Sequence, residues 1–226
     1  MTINFGIYDF FSYLIPGILY LFTFGKLLVT MGWNYTETLP WEQLISSSVI
    51  VILPIVACAY VLGHLMDVIT NRVFFRTIRK LRNRSKNTFP AAAKALEIQK
   101  EAHPNLTIQY DEKDWFLLFN LIAQRNINLS QYIDKYGADS LMLRNISLGS
   151  FLLSILQFIS YTDAPSSISL LIAISALVFS IIAYSQSEDI RTWYFSSIFE
   201  ASLEYGLSLE EVVKYNHVKQ GNKTNE

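Results

Sequence analysis

The sequence predicts an all-α, polytopic membrane protein: four transmembrane helices in two hairpins, a helical cytoplasmic insert between them and a helical cytoplasmic tail. Three observations carry this expectation. Of 226 residues, 51% are hydrophobic and only 16% charged, against roughly a quarter charged in an ordinary soluble domain. The uncharged residues gather into two runs before residue 70 and two after residue 145, and most of the 18 Lys and Arg fall between them. The same composition argues against a disordered chain, a disulfide-stapled module (Cys58 is the one cysteine) and a basic nucleic-acid protein, since Lys+Arg is 18 and Asp+Glu is 19.

A helix rises about 1.5 Å per residue, so about 20 apolar residues cross a hydrocarbon core of about 30 Å. By that ruler the first span is Phe10 to Met31, with one charge, Lys26, near its far end where a four-carbon stem reaches the headgroups. It is longer than a signal-peptide core and nothing basic precedes it, so it is expected to stay in the mature protein. The second is Leu44 to Val68, uncharged until Asp67. Pro16 and Gly17 lie in the first and Pro54 in the second, where a membrane bundle tolerates kinks. The third and fourth, Ile146 to Tyr161 and Ile168 to Tyr184, are uncharged but short, so they need flanking residues or a thinner bilayer.

Residues 69–145 are rich in cations while loops 33–43 and 162–167 have none. The positive-inside rule therefore puts 69–145 and both termini in the cytoplasm, with Trp33, Tyr35, Trp41 and Tyr161 at the outer interface. The expected organisation is a hairpin over 1–68, an insert over 69–145, a hairpin over 146–186 and a tail over 187–226.

Within the insert, Ala91 to Ala102 reads as a helix that His103, Pro104 and Asn105 break. Trp115 to Ala123 reads as a second, with Asp111, Glu112 and Asp114 at its positive end; a metal site there is a lesser reading. Ser130 is a candidate cap for a helix running into the third span, weakened by Gly137. The tail is expected to prolong the fourth span through Ile190 to Tyr205, end at Gly206, and restart as a short helix, Leu209 to His217, capped by Ser208 and Glu211. So much apolar surface in insert and tail predicts that they pack on each other or on neighbouring subunits.

The third span carries the most informative pattern. Ser147, Ser150, Ser154, Gln157 and Tyr161 share a helical stripe about 80° wide. In hydrocarbon such a stripe faces another helix or a water-filled path, which leaves helix packing and pore lining both open. Ser169, Ala173, Ala176, Ser180 and Ala183 give the fourth span a small-residue face suited to close helix approach. Arg72, Arg76, Arg79, Lys80, Arg82, Arg84 and Lys86 form a cationic run fit for anionic lipid headgroups, or less simply for a polyanion. His64 and Asp67 lie one turn apart and, with Pro16 and Pro54, are gate or hinge candidates; an interfacial role for the pair is the simpler reading. Nucleophile-elbow, phosphate-loop, zinc-protease and paired-cysteine motifs are missing, the histidines are scattered, and Cys58 sits in apolar company, so no reaction, cofactor or metal is expected.

The opening IYDFFSYLIPG, Ile7 to Gly17, is an aromatic lead into a span bearing Pro and Gly. With the compact insert between hairpins, it resembles the small multi-span membrane effectors of bacterial anti-phage defence systems. The resemblance covers the overall plan and assigns no residue a role. It implies an inner-membrane homo-oligomer that opens a pore or disrupts the membrane when a cytoplasmic protein or ligand signals infection. The expected function is therefore a triggered ion channel or membrane-disrupting effector. The alternatives are a membrane-anchored scaffold or sensor that recruits a soluble partner and, third, a lipid-modifying enzyme using His64 and Asp67. The lipid bilayer and further copies of the chain are the expected partners, and the near-neutral charge balance argues against nucleic acid.

Overall fold

The structure, a computed structural model, describes residues 7–33, 49–70, 90–103 and 111–205. Among these residues it is all-helical, with six α-helices and no strand: α1 Ile7–Thr30, α2 Val49–Ile69, α3 Pro90–Ala102, α4 Trp115–Arg125, α5 Ile127–Asp163 and α6 Ser167–Glu204. Four of them, α1, α2, α5 and α6, are long and apolar enough to cross a membrane. The cationic run 72–86, Tyr35, Trp41, the residues 44–48 assigned to the second span, and the tail helix at 209–217 lie outside the described residues.

The chain divides into two units, 1–84 with 138–187 and 85–137 with 188–226. In the first, α1 and α2 pack antiparallel through glycine. Gly17 rests on the Ala59 backbone and Gly63 on the Tyr13 backbone, so that as one number rises by four the other falls by four. With no Cβ in the way, the two backbones touch. Phe10 stacks on Tyr60 with ring centroids 5.4 Å apart, and Tyr13 meets His64 edge-on at 4.7 Å. Pro16 is buried inside a continuous α1, which ends where Gly32 takes φ 85° and the Gly32 and Trp33 amides bond the Val29 and Leu28 carbonyls. Gly149 of α5 lies against Leu19 and Tyr20 of α1, and Tyr20, Met66 and Leu148 form a small core where α1, α2 and α5 meet.

The third and fourth candidate spans are parts of longer helices, as expected from the helix at Ser130 running into the one and the tail prolonging the other. α5 and α6 have 37 and 38 residues and continue without a break through the positions assigned to the cytoplasmic insert and tail. At about 1.5 Å per residue each is about 55 Å long, well beyond a hydrocarbon core. The expected Ser130 cap is not used as one: Ser130 lies inside α5 and donates to the Ile127 carbonyl. Asn126 caps the helix instead, its side-chain oxygen accepting from the Leu129 amide at 3.1 Å, while its own amide closes α4 on the Ile122 carbonyl at 2.7 Å. Gly137 is accommodated within α5 because a Tyr194 ring edge fills the space beside it, 3.3 Å from where a Cβ would sit.

The second unit has a conventional apolar core: Ala91, Ala92, Ala95 and Leu96 of α3, Leu118 and Ile122 of α4, Ile133 of α5, and Phe195, Ile198 and Phe199 of α6. Insert and tail thus pack on each other within one chain. The small alanine face brings α3 in close, and Gln99 donates to the Ser196 hydroxyl at 3.0 Å. Arg125 bonds the Tyr205 carbonyl, and the Asn126 amide bonds the Tyr205 hydroxyl. Trp115, Tyr194 and Phe195 interlock edge to face, and burial, helped by Asp134, holds the Tyr194 hydroxyl protonated well above the usual phenol range.

Candidate functional site

The site begins with the polar stripe of α5 and the small face of α6. Only Ala164, Pro165 and Ser166 separate the two helices, so they run antiparallel as neighbours. Ser140 and Ser187 donate to each other's backbone carbonyls, both at 3.0 Å. Seven residues along, Ser147 and Ser180 do the same at 2.9 and 2.8 Å. Seven further, Ser154 donates to the Ala173 carbonyl at 2.8 Å, and alanine has no hydroxyl to return. The heptad step is what two helices crossing at about 20° keep in register. These hydroxyls are therefore spent between helices, and all are buried. Ser150 and Gln157 are buried on the same helix, and Ala176 and Ser169 are half-buried on α6. Tyr161 lies at the helix turn, beside a shallow recess lined also by Ser167, Leu170, Leu171, Ile174 and Ser175.

A second polar group lies where α1, α2 and α5 meet. Arg144 donates to Asp67 at 2.5 Å, with side chains only 11% and 18% exposed. The Tyr20 hydroxyl donates to the Asn145 carbonyl at 2.8 Å, and Thr70, fully buried beside that hydroxyl, donates to the Met66 carbonyl. Asp67 thus turns to Arg144, while His64, exposed, meets Tyr13 edge-on. Pro54 is exposed and Lys26 half-buried; neither lies in this polar group.

Arg144, Asn145, Tyr20, Thr70, Ser140 and Ser187 were missed by the sequence reading. The serine set had a signal, the heptad repeat of hydroxyls at 140, 147 and 154 facing 187 and 180, which ending the stripe at residue 146 concealed. Among the described residues no three His, Cys, Asp or Glu gather as a metal site. Asp111 and Asp114 instead accept backbone amides, each at 2.8 Å, and shape the turn before α4.

No protein-family model, curated protein or solved structure matches this chain.

Proposed function

We propose that the chain is a multi-pass membrane protein with both termini cytoplasmic, and that it acts as an anchor or sensor, its cytoplasmic helical unit recruiting a soluble partner. The observation that supports membrane insertion is an inverted polarity in the first unit. On α2, Ile52, Leu53, Val61 and Leu65 are half or more exposed; on α6, Ile168, Leu171, Val178, Phe179, Ile181 and Ile182 are too. The serine hydroxyls and the charge pair are inside. Water would penalise that surface and a bilayer accepts it. The anchor reading is favoured over a pore because Ser147 and Ser154, on which a conducting path would depend, already bond α6 carbonyls.

The second reading is a homo-oligomeric inner-membrane channel or membrane-disrupting effector of anti-phage defence, opened by a cytoplasmic trigger. One observation favours it: the Asp67–Arg144 pair is buried among helices long and apolar enough to cross a membrane, and an ionisable pair among such helices is a candidate for a functional path. Ion flux through liposomes holding the purified protein, with its oligomeric mass recorded, separates the two. A monomer, or an oligomer that stays silent even with its cytoplasmic partners present, supports the anchor; flux from a defined oligomer, abolished by Gln157→Leu, overturns it in favour of the channel.

A further inference from the structure

The Asn145 side chain is fully buried, and neither its Nδ2 nor its Oδ1 has a hydrogen-bond partner. An amide left in that state is rare, because the desolvation of both ends goes uncompensated. Polar groups lie close along the backbone: the Tyr20 hydroxyl on the Asn145 carbonyl, Thr70 beside that hydroxyl, and the Asp67–Arg144 pair made by the preceding residue. The two charges face each other, so the group has no net charge to attract an ion. What the amide lacks is both an acceptor for its N–H groups and a donor for its oxygen. The smallest neutral species that supplies both is water.

We propose that the chain holds an internal water at Asn145. It accepts from Nδ2, donates to Oδ1, and has a further hydrogen for the free lone pairs of the Tyr20 or Thr70 hydroxyl. The site sits where α1, α2 and α5 meet, so the water ties α5 to one neighbouring segment with bonds that exchange more readily than packed side chains do. It rests on burial and polarity alone and stands under either functional reading.

X-ray hydroxyl-radical footprinting of the full-length protein in nanodiscs tests it, since radicals made from a trapped water attack the side chains touching it. Tyr20 and Phe199 are equally buried, at 0% and 1% exposure. Tyr20 should be oxidised several-fold faster than Phe199, and Asn145→Leu should remove that excess. Tyr20 oxidised as slowly as Phe199 in the unmodified protein overturns the proposal without recourse to any variant. An excess that persists in a folded Asn145→Leu protein overturns it too, because water would then reach Tyr20 by another route.

Discussion

Ser147 and Ser180 each donate a hydrogen bond to the other's backbone carbonyl, so one contact point between α5 and α6 carries two reciprocal bonds. Interhelical bonds in membranes average about 0.6 kcal/mol and reach about 1.7. Ser147→Ala with Ser180→Ala should therefore lower stability by about 1–2 kcal/mol, read from unfolding in mixed micelles, with helical content unchanged. An effect indistinguishable from zero would mean that small-residue packing alone holds this pair.

The third rung is half made, because Ala173 receives a bond from Ser154 and returns none. Ala173→Ser places a hydroxyl where Ser180 and Ser187 already use theirs. The variant should gain a few tenths of a kcal/mol, the low end of such bonds less the small helix penalty of serine. A loss of stability would show that the new hydroxyl finds no carbonyl.

Helix identity and the facing stripes were legible in the sequence, because period 3.6 and an absence of charge are local properties. Pairing was not. Tyr20 bonds the carbonyl of Asn145, 125 residues away, and Asp67 finds Arg144 across 77. Nothing in a stretch around Asp67 selects Arg144 over nearer His64; the choice is made by how α2 and α5 pack. The stripe was read as ending with the uncharged run, so Ser140 and Ser187 fell outside it although they continue the same heptad. Helix length beyond the spans was legible as well, because polar residues stop a span but need not stop a helix: the run expected from Ser130 into the third span and the one from the fourth span through Tyr205 are α5 and α6.

Glycine positions give a graded prediction. A methyl at Gly17 or Gly63 would collide with backbone of the facing helix, whereas one at Gly149 meets the end of the flexible Leu19 side chain. Gly17→Ala and Gly63→Ala should each cost about 1–3 kcal/mol or more, and Gly149→Ala clearly less. Unfolding midpoints of the three variants side by side check the order, and equal losses would contradict the close α1–α2 approach.

The buried charge pair behaves differently from its parts. Asp67→Asn or Arg144→Met leaves one charge in an apolar setting and should cost about 3–5 kcal/mol. Exchanging the two residues, Asp67→Arg with Arg144→Asp, restores opposite charges and should recover a substantial part of that loss. No recovery in micelle unfolding would mean that the direction of the pair, set by its neighbours, matters as much as its charge.

Cys58, the one cysteine, reports directly on where α2 lies. It is exposed on the helix surface of the isolated chain, and Ile55, Val61 and Leu65, one or two turns away on the same side, are 48%, 55% and 57% exposed. If that face meets lipid, a charged maleimide cannot reach the thiol, because the reagent does not enter hydrocarbon. In native membranes Cys58 should stay unlabelled, and denaturation in SDS should make it react stoichiometrically. Labelling in intact membranes at a rate typical of a surface thiol would put water or a cavity beside the middle of α2. That result would remove the lipid-facing assignment on which the anchor reading depends.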